Sequence, residues 1–332
     1  MTGIARRSLL SAAATVLAWP LRTLAAARPA KQVLAFYYGW YGPGSHWQSP
    51  NPASKTLADA PDYPTAGTYD SLDPAAIDRH VAEAKGAGIT GLICSWWGQG
   101  DRTDQQLKPL LDKAALAGLV ITAYVENVTS PQALADACLY LLDTYGGHPA
   151  WLKLNGKPVI FLYDRVLQTV GLKGWKQARA IIDAKAPGRL AVIATGNGRK
   201  QIAERAPLFD GIHIYDMTFY LAQNHPFAWL WRRQFYDSWV KYQAGLTVTT
   251  ATVMPGYDDH LVPGRPAPRP FVDRDKGKLY RGLWQAAISA RPDWILIVSF
   301  NEWHEGSQIE PSSQYGDREL ATTRDMSARF LS

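Results

Sequence analysis

Eight apolar runs recur along this chain with helix-like stretches between them, and this alternation constrains the fold more than any other feature. The runs are Gln32–Tyr38, Thr90–Trp97, Leu119–Val125, Pro158–Tyr163, Leu190–Ala194, Gly211–Tyr215, Thr247–Val253 and Trp294–Ser299. Most are continuously apolar rather than alternating, as expected of strands covered on both faces. Helix-like segments lie at Pro74–Ala87, Asp104–Ala117, Pro131–Tyr145, Gly174–Lys185, Trp229–Gln243 and Lys278–Ala290. Between the fifth and sixth runs only a short turn near Gln201–Ala206 suggests itself. Asp73-Pro74 and Ser130-Pro131 place a capping side chain before a proline suited to the first helical turn. Gly86-Ala87-Gly88 and Ala117-Gly118 supply stops. Eight strands with interleaved helices predict an α/β fold, a single (β/α)8 TIM barrel. No internal repeat, low-complexity tract or linker divides it, so residues 28–332 are expected to form one barrel domain. The Pro-rich stretch Pro263–Pro270 reads as an extended loop over the barrel mouth.

Residues 1–27 read as an export signal. Arg6-Arg7 precede an apolar stretch from Leu9 to Trp19, and Ala25-Ala26-Ala27 offers small residues for cleavage. Such a stretch is too short to span a bilayer, which needs about 20 residues. The paired arginines suggest the twin-arginine route, although an ordinary secretory signal or a retained anchor is compatible with the same residues. The expected location is therefore periplasmic or extracellular, with no stable membrane insertion after signal removal.

Composition narrows the function classes. The chain has 13 Trp and 16 Tyr, rings that combine an apolar face with a polar edge and suit stacking on sugars. Net charge is +6, and three of those charges are Arg6, Arg7 and Arg22 in the N-terminal stretch. No Lys/Arg cluster fits a nucleic acid backbone, so no nucleic acid partner is expected. Cys94 and Cys138 form neither a metal signature nor a disulfide framework, and free core thiols are expected.

Barrel enzymes place their chemistry on the loops that follow the strands. Here these positions are unusually rich in rings and acids. The first strand is followed by Tyr38, Trp40, Tyr41, His46 and Trp47; the second ends in Trp96 and Trp97; the third gives Tyr124, Glu126 and Asn127. The fourth gives Tyr163, Asp164 and Arg165; the fifth, Thr195 and Asn197; the sixth, His213, Tyr215 and Asp216; the seventh, Tyr257, Asp258 and Asp259. The eighth stops abruptly at Asn301-Glu-Trp-His-Glu-Gly306. This points to a polar, aromatic-lined cleft suited to a carbohydrate. No glycine-rich phosphate loop and no Asp/Glu/His set with metal-ligand spacing appears, so neither metal nor cofactor is expected. Glu302 and Glu305, three apart, could share one side of a helical turn. Two carboxylates in one cleft are what glycosidic hydrolysis ordinarily needs, one as acid and one as base or nucleophile. His304 reads as a hydrogen-bonded structural or substrate-contacting imidazole.

The segment Ser299-Phe-Asn-Glu-Trp-His-Glu-Gly-Ser-Gln-Ile-Glu-Pro311 closely resembles the signature of the endo-α-mannosidase family, glycoside hydrolase family 99. Phe36-Tyr-Tyr-Gly-Trp-Tyr41 with His46-Trp47, Ser95-Trp-Trp-Gly98 and Pro255-Gly-Tyr-Asp258 resemble further family segments in the same order. The resemblance implies a (β/α)8 barrel and retaining, endo-acting cleavage of α-mannosides in an oligo- or polysaccharide. It implies that Glu302 deprotonates the sugar's 2-hydroxyl, which displaces the leaving group to form a 1,2-anhydro sugar. Glu305 would protonate the departing oxygen and then activate water. Glu126 matches a substrate-binding carboxylate. Tyr38, His46, Trp96 and Tyr215 match sugar contacts, and Tyr257, Asn301, Trp303 and His304 lie within the matching motifs and are expected to contact substrate too. Two alternatives stay open: a hydrolase of another α-linked polysaccharide on this scaffold, and a carbohydrate-binding barrel without turnover.

Overall fold

In a computed structural model that describes residues 28–47, 62–221, 227–260, 262, 267 and 269–332, every one of the eight apolar runs overlaps a strand. They are β1 (Gln32–Tyr37), β2 (Gly91–Trp96), β3 (Val120–Val125), β4 (Lys157–Leu162), β5 (Ala191–Thr195), β6 (Gly211–His213), β7 (Thr250–Val253) and β8 (Trp294–Ile297). Their hydrogen-bonded order is β6-β5-β4-β3-β2-β1-β8-β7, with every pair parallel. The β1–β8 register sets Gln32 opposite Trp294 and Ala35 opposite Ile297, which brings the start and end of the chain together.

The seam between β6 and β7 closes differently. The Val248 N–H donates to Asp210 O at 3.2 Å, and the Thr250 hydroxyl donates to Ile212 O at 2.7 Å. The Thr252 hydroxyl donates to Ile214 O. Threonine side chains thus satisfy backbone carbonyls that a regular ladder would otherwise pair.

Strand residues are buried almost throughout, matching the apolar continuity of their sequences. Alternation sends their side chains to two different layers. Phe36 points inward, where its ring lies 4.9 Å from Tyr124, 6.3 Å from Phe161 and 5.6 Å from His213. Its neighbour Tyr37 points outward, toward the first helix, and its hydroxyl lies 2.9 Å from His80 Nδ1. Full burial of such side chains contributes about 1.5–3 kcal/mol each, so the apolar character that predicts the strands also holds them. At the start of β2, a Cβ on Gly91 would sit 2.4 Å from Val120 O, so only glycine lets β2 and β3 approach.

The helices of seven or more described residues are α1 (Pro74–Gly86), α2 (Arg102–Ala117), α3 (Pro131–Thr144), α4 (Asp164–Lys185), α5 (Arg199–Arg205), α6 (Ala228–Tyr242), α7 (Lys278–Ala290) and α8 (Arg318–Leu331). Asp73 and Ser130 cap α1 and α3 as expected, and Asp101 caps α2 through the Thr103 N–H. Three expectations need correction. Helix α4 begins ten residues earlier than Gly174, with a break at Gly171 (φ 64°, ψ 174°) that hides its first half from a periodicity reading. The segment after β5 is a seven-residue helix, not merely a turn. Helix α8 was not anticipated; it packs Leu320, Met326 and Phe330 against the barrel's outside.

The expected export signal at 1–27 and most of the expected Pro263–Pro270 loop lie outside the described residues. Among the described residues, no helix is long and apolar enough to cross a membrane. Cys94 and Cys138 are buried and free.

Candidate active site

The chain segment leaving β8 forms the floor of the barrel mouth. Residues 303–306 adopt a tight turn, which corrects the expectation of a helical turn carrying Glu302 and Glu305. Serine hydroxyls explain part of this choice. The Glu302 N–H donates to Ser299 Oγ at 2.7 Å, and Ser299 Oγ lies 3.0 Å from Ser307 Oγ. The Ser299 N–H donates to Ser307 O at 2.8 Å, closing the loop on itself. Gly306 holds φ at 58°, in the left-handed region, and a Cβ there would press to 3.1 Å on Asp258.

The turn carries both acids toward the mouth. Glu302 is buried, and its Oε1 accepts the His304 backbone N–H at 3.2 Å. Glu305 is half-buried, and its Oε2 accepts from the Tyr215 hydroxyl at 3.2 Å. Tyr215 in turn accepts from the Tyr38 hydroxyl at 2.5 Å. A chain of two phenols from β1 and β6 therefore ends on Glu305, and burial pushes both phenol pKa values well above the usual range, so the phenols remain donors. His304 lies beside Glu302 (3.7 Å from Nδ1 to Oε1), and burial lowers its pKa to about 4, leaving it neutral near pH 7.

Glu126, at the end of β3, is the third carboxylate of the mouth. Its Oε1 accepts the Ser95 hydroxyl at 2.8 Å. Burial raises its carboxyl to about 8, against the lowering pull of Ser95 and Arg165, and Glu302 and Glu305 add to the rise. The charges of Glu302 and Glu305 thus reach the Glu126 carboxyl. Above it, Trp97 donates its indole N–H to Ser95 Oγ at 3.1 Å, and the Arg165 guanidinium lies 5.3 Å from both the Trp97 and Tyr163 rings. On the other wall Trp40 stacks on His46, with centroids 4.5 Å apart and planes 4° from parallel. His46 sits 5.8 Å from His304, so both histidines border the acids.

The remaining sequence candidates are placed otherwise. Asn301 is fully buried: it accepts the Tyr38 N–H at 2.8 Å and donates to Tyr38 O at 2.9 Å and Tyr69 Oη at 3.1 Å. Trp303 is buried and donates its indole N–H to Glu310 at 3.0 Å. Trp96 is buried and donates to Asp104 at 2.9 Å. Tyr257 is buried and pairs with Val272 in a two-stranded antiparallel ladder. Sequence reading overlooked Tyr69, His80, Arg79 and Glu310, which pack beneath the turn. His80 gave a usable signal, since it falls on the apolar stripe of α1 with Ala76, Ile77, Val81 and Ala84. His80, Glu83 and Glu310 also converge closely enough to resemble metal ligands. However, the Arg79 guanidinium already balances them, 3.7 Å from Glu310 and 3.9 Å from Glu83.

Comparisons with known proteins give the family of the chain. The sequence profile described as Glycosyl hydrolase family 99 matches residues 30–323. A glycoprotein endo-α-1,2-mannosidase of Xenopus laevis is 29% identical over 323 residues, covering 83% of this chain and 68% of that protein. A glycoprotein endo-α-1,2-mannosidase-like protein of Homo sapiens is 28% identical over 324 residues, covering 83% of this chain and 67% of its own length. The solved structure of a GH99 endo-α-mannosidase from Bacteroides thetaiotaomicron superposes with a TM-score of 0.71 at 27% identity, covering 90% of this chain and 97% of that one.

Proposed function

Since the chain belongs to glycosyl hydrolase family 99 and is a glycoside hydrolase, we propose that it cleaves internal α-mannosidic bonds with retention, using Glu302 and Glu305 without a covalent enzyme intermediate. The observation that carries this reading is the arrangement of these two acids on one turn at the mouth, each with its own donor: His304 N–H on Glu302 and the Tyr38–Tyr215 chain on Glu305.

In the first step the Glu302 carboxylate takes the proton of the substrate's 2-hydroxyl. The C1–O2 bond forms as the bond from C1 to the departing oxygen breaks, and Glu305 delivers its proton to that oxygen. The product is a 1,2-anhydro sugar. In the second step Glu305, now a carboxylate, takes a proton from water, whose oxygen attacks C1. The C1–O2 bond breaks and O2 recovers the proton from Glu302. Two inversions at C1 give net retention, with each carboxylate returning to its starting state. The neutral His304 adds no competing positive charge beside the base. Glu126 keeps its proton below about pH 8 and so offers a donor to a sugar hydroxyl. The rings of Trp40 and Trp97 at the rim supply apolar faces for sugar C–H groups.

The test is a digest of linkage-defined α-mannans with product lengths recorded. Internal cleavage is expected, and both Glu302→Gln and Glu305→Gln should lose it. A 2-deoxy substrate should bind and resist cleavage; its ready hydrolysis would refute the anhydro route. Absence of new reducing ends from every α-mannan with wild-type protein would sink the activity itself.

A further inference from the structure

Glu310 lies eight positions beyond Glu302, on the far side of the turn from the mouth, and is buried. Its Oε2 accepts the Trp303 indole N–H at 3.0 Å and the Tyr69 hydroxyl at 2.9 Å. Its Oε1 lies 3.0 Å from His80 Nε2, with the Arg79 guanidinium at 3.7 Å. Its own N–H donates to Phe300 O at 2.9 Å. The two donors on Oε2 matter most. Trp303 directly follows Glu302. Tyr69 holds the amide of Asn301, which directly precedes it. One carboxylate oxygen therefore grips both chain neighbours of Glu302, one directly and one through a phenol. The other oxygen is steadied by an outer chain: Gln106 donates to Tyr37 Oη at 3.0 Å, Tyr37 Oη lies 2.9 Å from His80 Nδ1, and His80 Nε2 faces both Glu310 Oε1 at 3.0 Å and an Arg79 guanidinium nitrogen at 3.2 Å.

We infer that Glu310 is a positioning residue: it touches no substrate and fixes the aim of Glu302 by clamping Asn301 and Trp303. This rests on the assignment of Glu302 as the base. What the clamp requires is an acceptor on Oε2, not a charge. A glutamine can keep its oxygen toward Trp303 and Tyr69 and turn its amide N–H toward His80 Nε2, which accepts when the ring proton is on Nδ1. Alanine leaves the indole and phenol donors without a buried partner, and the turn is free to shift.

Steady-state kinetics of Glu310→Ala and Glu310→Gln on an α-mannan cleaved by the wild type test this, with folding checked by circular dichroism and the assay run well below each Tm. Misplacement of a reacting group by ~1 Å costs about 100-fold, so Glu310→Ala should lose about that much in kcat with KM little changed. Glu310→Gln should restore most of the rate. If Glu310→Ala does not fold, Trp303→Phe, which deletes one donor to the clamp, should still lower kcat by about ten-fold at constant KM. Wild-type kcat in Glu310→Ala or in Trp303→Phe would overturn the inference, as would equal losses in the Ala and Gln variants. Should the wild type cleave no α-mannan, the activity reading fails by itself. The clamp is then judged by crystal structures of wild type and Glu310→Ala: displacement of residues 301–305 supports it, and superposition of them overturns it.

Discussion

Glu126 offers the most quantitative test of the site's electrostatics. The carboxyl is buried at the end of β3, and burial raises it from an ordinary value of 4.5 to about 8. At about 1.4 kcal/mol per pH unit, that rise corresponds to about 5 kcal/mol favouring the protonated form in the folded protein. The sign follows from proton binding. Between about pH 4.5 and pH 8 the folded state holds a proton that the unfolded chain releases, so stability falls as pH rises through this window and levels off above it. Below pH 4.5 both states are protonated and there is no penalty. Glu126→Gln removes the titration and keeps an acceptor for the Ser95 hydroxyl. The assay is thermal unfolding of both proteins across pH 5–9. The variant should gain on the wild type as pH rises, by several degrees in Tm by pH 8 for a unit of this size. Glu83, which burial raises to about 7, titrates in the same window but is present in both proteins and cancels in the difference. Parallel Tm profiles would refute the argument, because they would mean that Glu126 is already ionised in the folded state or is solvated.

Two further substitutions probe other contacts of the turn. Tyr215→Phe removes the hydroxyl that donates to Glu305 and accepts from Tyr38; a hydrogen bond to a charged group contributes about 1.5–3 kcal/mol, so kcat/KM on an α-mannan should fall by about 10- to 100-fold, and stability should fall by about 1–3 kcal/mol because the buried Tyr38 hydroxyl loses its acceptor. Arg274→Ala strips the guanidinium from buried Glu319 (3.2 Å) and from the carbonyls of Gly306 and Gln308. Arg318 stays on Glu319 at 2.9 Å, so the cost is mainly that of the two carbonyls losing their donor, about 1–3 kcal/mol, measurable by denaturant unfolding, and the loss of a tie to Gly306 should lower activity as well.

The fold was legible because its signal is local. Most strands announced themselves as continuous apolar runs, since a strand buried on both faces admits little else. Helix starts with a capping side chain before proline were equally local. Misreadings arose where local patterns mislead. Gly171 interrupts α4 and conceals its first half. Glu302 and Glu305 have helical spacing, yet hydroxyls from Ser299 and Ser307 draw the backbone into a tighter turn.

The sequence by itself determined that acids and rings accumulate at the C-terminal ends of the strands, because residues directly after a strand must emerge there. It did not determine which of those rings face the mouth. Trp96 and Trp303 each carry an indole N–H that needs an acceptor when buried, and only the tertiary structure supplies Asp104 and Glu310 for them. Likewise, Tyr38 reaches Tyr215 across 177 positions of sequence, and His80 reaches Glu310 across 230. Such pairs leave no trace in periodicity. Barrel closure creates them: by seating β1 beside β8, it brings α1 and the Tyr69 segment beneath the turn that carries Glu302 and Glu305, so that the environment of Glu302 is set by residues from both ends of the chain.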